Sequence, residues 1–432
     1  MSIPGLAVDG ARLWRSLMDL AAIGATPKGG VCRLALTPLD GQARALFRQW
    51  ALDAGCSLRT DAIGNIFARR AGLEPNAAAV ATGSHIDSQP TGGRFDGAYG
   101  VLAGLEVLRT LNDHGLRTRA PLDVCVWTNE EGSRFVPVMM GSGVYAGAFT
   151  LEHALAACDA NGTSVAAALQ ALGAAGTAPA SVAAGAPCFA AYFEAHIEQG
   201  PVLEDAGITI GAVTGALGQR WFDVTVTGQE AHAGPTPMPL RRDALQAATG
   251  LMQAVHAIAH AEQPHARGTV GCVQVFPNSR NVIPGRVQFS VDFRHASAEG
   301  LQRMDTALRQ ACVTLQTAGP CSVALQQVVD FPPAPFDPAL VAAVRSGARR
   351  LKLSCMDLVS GAGHDAVYVA RTAPTAMIFV PCKGGISHNE IEDADPIHLE
   401  AGANVLLHAM LQVAGVEGGD YLVPERRAAA QD

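Results

Sequence analysis

Charged and aromatic residues are scarce in this chain. Of 432 residues, 16% are Asp, Glu, Lys or Arg and 5% are aromatic, and the formal net charge at pH 7 is −8. A net negative charge does not indicate the basic surface that binding to nucleic acid or to an anionic membrane would require. We therefore expect neither nucleic acid nor membrane as a partner, and small molecules or proteins instead.

Cysteine motifs and long apolar runs are also missing. The ten cysteines form no Cys-x-x-Cys pair, which favours free, mostly buried thiols of a reducing compartment over zinc fingers or disulfides. The first residues lack a basic stretch followed by an unbroken apolar core. The sequence thus predicts neither a signal peptide nor a transmembrane span, and a cytoplasmic location is expected.

The chain length and the order of its apolar patterns predict two domains. Hydrophobic residues make up 49% of the chain, and 432 residues exceed what one ordinary core serves. Short apolar runs alternate with helical patterns, which predicts an α/β domain (1–212 and 331–432) with a central mixed sheet covered by helices. Over 213–330 the order β-α-β-β-α-β predicts a smaller inserted α+β domain. An Ala/Gly-rich interval, 152–187, is interpreted as a solvent-facing insertion.

Histidine and acidic residues follow four of the apolar runs. In α/β sheets, functional groups collect beyond the carboxyl ends of the strands. Two imidazoles and one carboxylate suit zinc, and a bridging carboxylate would let two ions share the cluster. Each group alone has a plainer explanation as a turn histidine, a helix cap or exposed acids, but unpaired charges at strand ends would be costly to desolvate. The groups are His85, Asp87 and Asp96; Glu130 and Glu131; His196 and Glu198; His388 and Glu390.

Seven motifs occur in order along nearly the whole chain, and together they identify a family. They are "GSHIDSQPTGGRFDGAYGVLAGLEVL", "VWTNEEGSRFVPVMMGSG", "HIEQGPVLEDAGITIGAVTG", "VTVTGQEAHAGPTPM", "NVIPGRVQFSVDFRH", "SGAGHDA" and "GISHNEIE". They resemble the hydantoinase/carbamoylase group of metal-dependent amidases, within the wider M20 peptidase-like superfamily. The resemblance implies two divalent ions per subunit, Zn²⁺ first, with Mn²⁺, Co²⁺ or Ni²⁺ as alternatives.

The resemblance also implies which residues hold these ions. One ion would be held by His85 and His196, and the other by Glu131 and His388. Asp96 would bridge the two ions.

Further roles near the ions follow from the same resemblance. Glu130 is similar to the group's general base, and Asp87 to its ligand-orienting residue. The family also implies a cis peptide bond after Asp96, to which Gly97 is suited, although such a bond is costly outside proline.

The reaction implied by the family is cleavage of the carbamoyl C–N bond of N-carbamoyl-L-amino acids or N-carbamoyl-β-alanine, which gives the amino acid, ammonia and CO₂. His196 stands where M20 aminopeptidases and aminoacylases usually have a carboxylate, which favours ureido or amide substrates over peptides. "SQPTGGRFDG" and "WTNEEGSRF" are more similar to carbamoylases, so allantoate is the alternative substrate. A non-catalytic metal-binding relative would lack Glu130 or a ligand, and neither is missing.

Residues of the inserted domain complete the implied site. His232 would reach into the partner subunit's site and stabilise the oxyanion, which implies a homodimer. Arg294 would bind the carboxylate of a small-molecule substrate through a two-pronged pair. The alternatives are a structural histidine and a surface salt bridge. The remaining implied substrate contacts are Gln199, Asn281, Gly361 and Gly363.

A few further residues receive plainer interpretations. Asp365 is interpreted as a helix cap, and His364 beside it has no assigned role. His256 and His260 are interpreted as a solvated helix face, because no third ligand follows them nearby.

Overall fold

The computed structural model describes residues 5–418 and divides them into two compact units. Unit 1 consists of the chain up to Thr214 and the chain from Phe336 onward, and unit 2 is Gly215–Pro335. All ten cysteines are free. In the part of the chain that the structure describes, no helix is both long enough and apolar enough to cross a bilayer.

The helices and strands are numbered in chain order. The α-helices of the described residues are α1 Gly10–Ala21, α2 Pro38–Asp53, α3 Ala98–Asp113, α4 Met140–Tyr145, α5 Leu151–Ala156, α6 Val165–Leu172, α7 Val202–Ala206, α8 Ala244–Ala261, α9 Ala298–Ala318, α10 Pro338–Arg350, α11 Asp365–Val369 and α12 Pro396–Ala414. The strands are β1 Ser57–Thr60, β2 Ile66–Arg70, β3 Val80–His85, β4 Leu122–Trp127, β5 Ala191–Ile197, β6 Ile210–Ala216, β7 Gly218–Thr227, β8 Ala231–His232, β9 Ala266–Thr269, β10 Val273–Phe276, β11 Val282–Ile283, β12 Arg286–His295, β13 Ser322–Phe331, β14 Ala334–Pro335, β15 Cys355–Ser360 and β16 Thr375–Val380.

Unit 1 is built on a mixed sheet with the strand order β1-β2-β4-β3-β5-β16-β6, and β14 and β15 also pair with β6. The four central strands β4, β3, β5 and β16 run parallel, and every residue in them is buried. Continuous apolar strands of this kind are expected where helices cover both faces of a parallel sheet. Helices α3, α10 and α12 pack against the sheet. The predicted mixed, helix-covered sheet is confirmed.

Unit 2 contains an antiparallel sheet with the order β10-β12-β7-β13, and β9 also pairs with β12. Buried and less buried residues alternate along β12, and half-buried and exposed residues alternate along β13, as expected for strands with one face on a core. Helices α8 and α9 pack on the sheet. The chain order follows the predicted β-α-β-β-α-β, except that two strands, β9 and β10, stand where one was expected and the short pair β8 and β11 is added.

Most residues of the interval 152–187 are exposed or half-buried, as expected of a solvent-facing insertion. It contributes Val165 and Leu169 of helix α6 to a small buried cluster, which also contains Phe135 from the loop after β4 and Met140 from the start of α4. The interval therefore packs against the loop after β4, which carries Glu130 and Glu131.

Candidate functional site

The carboxyl ends of the four central parallel strands bring the candidate residues to one edge of the sheet. His85 is the last residue of β3, and His196 is the last but one of β5. Glu130 and Glu131 follow β4, and His388 lies in the loop after β16. Parallel strands end at the same edge, so four separate segments of sequence meet there.

His85, Asp96 and His196 form one group with the spacing of metal ligands, with ligand atoms within 4.8 Å of one another. Oδ1 of Asp96 lies 3.2 Å from Nε2 of His196 and 3.7 Å from Nε2 of His85. Nδ1 of each imidazole is 2.9 Å from a backbone carbonyl, that of Asp87 for His85 and that of Ile197 for His196. Such contacts fix the tautomer and leave Nε2 as the ligand atom, as in protein metal sites.

Asp96, Glu131 and His388 form a second group of the same kind. Nε2 of His388 lies 3.3 Å from Oδ2 of Asp96 and 3.4 Å from Oε2 of Glu131. Gln89 donates to the Glu131 carboxylate from its backbone N–H at 3.0 Å and from Nε2 at 2.7 Å. Asp96 thus presents one oxygen to each group, which is the arrangement expected of a bridging carboxylate.

The charges of this edge fit divalent cations. Burial raises the pKa of Glu130 well above its usual range and that of Glu131 to about 7, and neighbouring carboxylates add to both shifts. For Asp96, burial opposes ionisation, but hydrogen bonds to His196 and His388 hold its pKa well below the usual range. Carboxylates crowded in a buried space repel one another unless cations neutralise them. The donor set of imidazoles and carboxylates therefore fits a divalent metal site.

Glu130 lies beside the first group without belonging to it. Its Oε2 is 3.5 Å from Nε2 of His85, and it is a member of neither ligand group. A carboxylate next to the ligands but outside both groups has the position of a general base.

Asp87 acts on the same edge through two different groups. Its carbonyl oxygen contacts Nδ1 of His85, whereas its carboxylate oxygens accept the N–H groups of Glu130 and Glu131, each at 3.3 Å. The carboxylate is 3.8 Å from the imidazole. The orienting contact to His85 therefore comes from the backbone of Asp87, and the side chain holds the turn that carries the two glutamates.

Gly97 contacts both histidines of the first group. Its φ is +64°, its N–H lies 3.2 Å from Nε2 of His196, and a Cβ at this position would lie 2.4 Å from the imidazole of His85. The expected cis bond after Asp96 is wrong, because the cis bonds of residues 5–418 all precede prolines. The positive φ of the glycine makes the turn instead.

Three of the implied substrate-binding residues belong to unit 1. Nε2 of Gln199 donates to Oδ2 of Asp96 at 2.9 Å, and its buried Oε1 has no hydrogen-bond partner. Gly361 and Gly363 lie in the loop between β15 and α11, and Gly363 packs against Met139, which a Cβ would approach to 3.0 Å. Gln199 thus lies beside Asp96, and its Oε1 atom can still accept a hydrogen bond.

The other three implied residues belong to unit 2. His232 in β8 is exposed and lies opposite Val282 of β11. The backbone N–H of Ala233 donates to the carbonyl of Asn281 at 2.9 Å, which brings His232 and Asn281 to one short ribbon. Arg294 is ion-paired with Asp292 at 3.0 Å, so it makes a salt bridge of the kind given as its alternative.

Glu198 and Glu390, which also follow apolar runs, do not face the two ligand groups. The carboxylate of Glu198 accepts the N–H groups of Val202 and Leu203 at the start of α7. Glu390 lies 3.6 Å from the ammonium of Lys28. Neither joins a ligand group.

The histidines interpreted as a helix face are exposed on α8. Nε2 of His256 lies 3.2 Å from Nε2 of His260. Among the described residues, no third ligand joins this pair to make a metal-binding group.

Several buried polar residues lie behind the site, and the sequence analysis assigned none of them to it. The imidazole of His364 stacks edge-on to His196 with centroids 4.6 Å apart. Glu194 accepts from Oγ of Ser84 at 2.7 Å. Asp365 does not cap α11, because the N-cap position belongs to His364, and its carboxylate accepts from Ser142 instead. The available signal for Glu194 was a row of ionisable side chains at every second position, Glu194 and His196 in β5 and Glu198 just after it.

Comparisons with known proteins agree with this geometry. The model of the peptidase family M20/M25/M40 matches residues 81–412. An N-carbamoyl-L-amino-acid amidohydrolase of Rhizobium meliloti is 46% identical over 96% of this chain and all of its own length. An allantoate amidohydrolase of Bacillus subtilis is 36% identical over 91% of this chain and 95% of its own. The crystal structure of a hydantoinase/carbamoylase family amidase from Burkholderia multivorans is 57% identical, with a TM-score of 0.93, and covers 95% of this chain and 99% of that one.

The chain belongs to the peptidase family M20/M25/M40. Within that family it is a member of the hydantoinase/carbamoylase group. The predicted fold, family and hydrolase class are therefore confirmed. The family and the buried ligand groups also indicate divalent-metal binding.

Replacement of Gly97 by alanine is expected to weaken divalent-metal binding by about tenfold or more, because the new methyl group would displace the imidazole of His85. The measurement is metal content after dialysis against a chelator, with circular dichroism to verify folding. Gly115→Ala is the matched control, since Gly115 also has a positive φ, +61°, but no atom lies within 4 Å of its Cβ position. Equal metal retention in both variants would contradict the assignment.

Proposed function

We propose that this protein is a metal-dependent amidohydrolase that cleaves the carbamoyl C–N bond of N-carbamoyl-L-amino acids or N-carbamoyl-β-alanine. The observation that carries the proposal is the pair of ligand groups that share Asp96, with the carboxylate of Glu130 beside them. The Rhizobium meliloti relative, which aligns over its full length, supports the substrate class.

The proposed ligands are His85 and His196 for one ion and Glu131 and His388 for the other, with Asp96 between them. Two bound divalent cations, Zn²⁺ or alternatively Mn²⁺, Co²⁺ or Ni²⁺, would supply an acidified water and polarise the substrate carbonyl.

Glu130 holds the proton that moves in the reaction. Its carboxylate, beside the first ligand group, is placed to accept a proton from the attacking water and to return that proton to the leaving nitrogen. The ureido group R–NH–CO–NH₂ and one water then become R–NH₂, NH₃ and CO₂. Asp87 keeps Glu130 in place through its hydrogen bond to the backbone N–H of that residue.

Further residues are proposed to recognise the substrate. The orphan Oε1 of Gln199 is suited to accept a hydrogen bond from the carbamoyl NH₂ group. Arg294, released from Asp292, would bind the substrate carboxylate through its fork of donors. The remaining proposed contacts are Asn281, Gly361 and Gly363.

Allantoate is the second candidate substrate. It carries the same ureido group, so the same ligands and base would serve, and the Bacillus subtilis relative bears that name. The motifs around Asp87 and Glu130 favour the carbamoyl amino acids.

A homodimer with shared sites is the proposed assembly, with His232 contributed by the partner subunit. An exposed histidine on a short ribbon can reach beyond its own unit, and an imidazole donor would stabilise the developing oxyanion. The cytoplasm is the proposed compartment, because the ten cysteines are free.

Ammonia release by chelator-stripped protein reloaded with Zn²⁺ or Mn²⁺ tests the substrate class. The substrates are N-carbamoyl-L-amino acids, N-carbamoyl-β-alanine, allantoate and, as a control amide, an N-acetyl amino acid. We expect metal-dependent turnover of the carbamoyl compounds. A preference for allantoate would select the second candidate, and inactivity on every ureido compound would refute both.

Glu130→Gln is expected to lower kcat by about 10²- to 10⁴-fold while the protein keeps its metal, because the amide cannot accept the proton. Glu198→Gln is the matched control, since the Glu198 carboxylate faces the start of α7. Steady-state kinetics and metal analysis of both variants provide the measurement. Turnover of the Glu130 variant at the wild-type rate would remove it from the mechanism.

Mixing two inactive variants tests the shared site. His232→Ala is expected to lower kcat by about 10²- to 10³-fold. After exchange of subunits between Glu130→Gln and His232→Ala dimers, half of the dimers are mixed and one site in each is complete. The mixture should therefore regain about a quarter of wild-type activity. If exchanged subunits are shown by mass spectrometry but no activity returns, each site is built from one chain.

A further inference from the structure

We propose that Glu392 is a positioning residue that locks two loops of unit 1 together, so that both halves of the metal site form as one. The Asp96 loop, residues 86–97, joins β3 to α3, and the His388 loop, residues 381–395, joins β16 to α12. The inference rests on the metal ligands proposed above and concerns a residue outside both ligand groups.

The Glu392 carboxylate is enclosed and receives donors from both loops. The residue is 1% exposed. Oε1 accepts the backbone N–H groups of Phe95 at 2.9 Å and Asp96 at 3.1 Å, and Oε2 accepts the hydroxyl of Ser387 at 2.9 Å. Burying a carboxylate is costly unless hydrogen bonds satisfy it. The three donors come from both loops, so the Glu392 carboxylate is satisfied only while the two loops keep their relative positions.

Each donor is next to, or part of, a proposed ligand. The N–H of Asp96 belongs to the residue whose two oxygens face His196 and His388. Ser387 immediately precedes His388, and its hydroxyl is also 3.2 Å from Oδ2 of Asp96. A hydroxyl has one proton, so when Ser387 donates to Glu392, Oδ2 of Asp96 keeps the hydrogen bond from Gln199 and has its second lone pair for a cation. A shift of Glu392 would therefore disturb the bridging carboxylate and the ligand of the second group together.

The His388 loop needs such support because its backbone is strained. His388 has a φ of 54°. This left-handed conformation is unfavourable for a non-glycine residue and persists only where the surrounding structure imposes it. Two contacts hold the residues on either side of it. Ser387 donates to the Glu392 carboxylate, and the N–H of Glu392 donates to the carbonyl of Asn389 at 3.0 Å.

The fit of Glu392 also explains a glycine of the Asp96 loop. A Cβ on Gly93 would lie 2.0 Å from the carboxyl carbon of Glu392, so a larger residue would displace the carboxylate. The next residue, Asp393, links the same loops differently, through ion pairs with Arg94 at 3.0 Å and with Lys383. Asp393 is therefore a natural control, because it is outside both ligand groups.

The test measures metal binding directly. Full-length wild type, Glu392→Ala, Glu392→Gln and Asp393→Asn are stripped with a chelator and titrated with Zn²⁺ against a chromophoric competitor. The visible spectrum of the Co²⁺-loaded proteins reports ligand geometry, and thermal melting reports folding. We expect Glu392→Ala to bind both ions about 10- to 100-fold more weakly and to alter the Co²⁺ bands. Glu392→Gln should be less affected, because its Oε1 can still accept both backbone N–H groups.

Asp393→Asn should keep wild-type metal affinity even if its melting temperature falls. Unchanged affinity for both ions in Glu392→Ala would overturn the proposal, as would an equal loss in Asp393→Asn. Should Glu392→Ala fail to fold, Glu392→Gln and Ser387→Ala decide, and wild-type affinity in both would refute the role of Glu392. A wild type that binds fewer than two ions would overturn the two-ion site and this inference together. If the wild type binds two ions without ammonia release, only the proposed function fails, and the metal titrations still judge Glu392.

Discussion

The carboxylate of Asp96 is the contact on which the candidate site depends. One oxygen faces the imidazoles of His85 and His196, and the other faces His388. Three strands must therefore end at one edge with Asp96 between them, and the order β3-β5-β16 in the sheet meets this condition. The same closeness places the carboxylate of Glu131 near that of Asp96, and bound cations would offset the repulsion between the two carboxylates.

The loops that complete the site carry much of the backbone strain of the molecule. Seven non-glycine residues of the described chain have a positive φ, and four of them lie in the loops after β4, β5 and β16: Asn129, Met139, Gln199 and His388. Each such conformation costs about 1–3 kcal/mol and persists only where the surroundings impose it. The fully buried central strands supply those surroundings. The stability of the sheet therefore offsets the strain of these loops, and the loops position the reactive groups.

The sequence predicted the strand ends of the site but little of what supports them. His85 and His196 could be found because each ends an apolar run, which is a local pattern, and parallel strands end at one edge. Glu392 could not, since its donors Phe95 and Asp96 are almost 300 positions away along the chain. Glu198 follows an apolar run as well, yet it points to α7, because side-chain direction in a loop depends on the fold.

The two halves of the site are held by different means, and this difference gives Glu392 its importance. His85 and His196 are buried residues of β3 and β5, and a backbone carbonyl fixes the Nδ1 of each ring. The His388 side chain is 52% exposed and stands on a loop with a strained backbone. Strand pairing can hold the first half without help, whereas the second half needs a contact to the first. A buried carboxylate that accepts the N–H of Asp96 and the hydroxyl of Ser387 provides that contact at the point where the two halves meet.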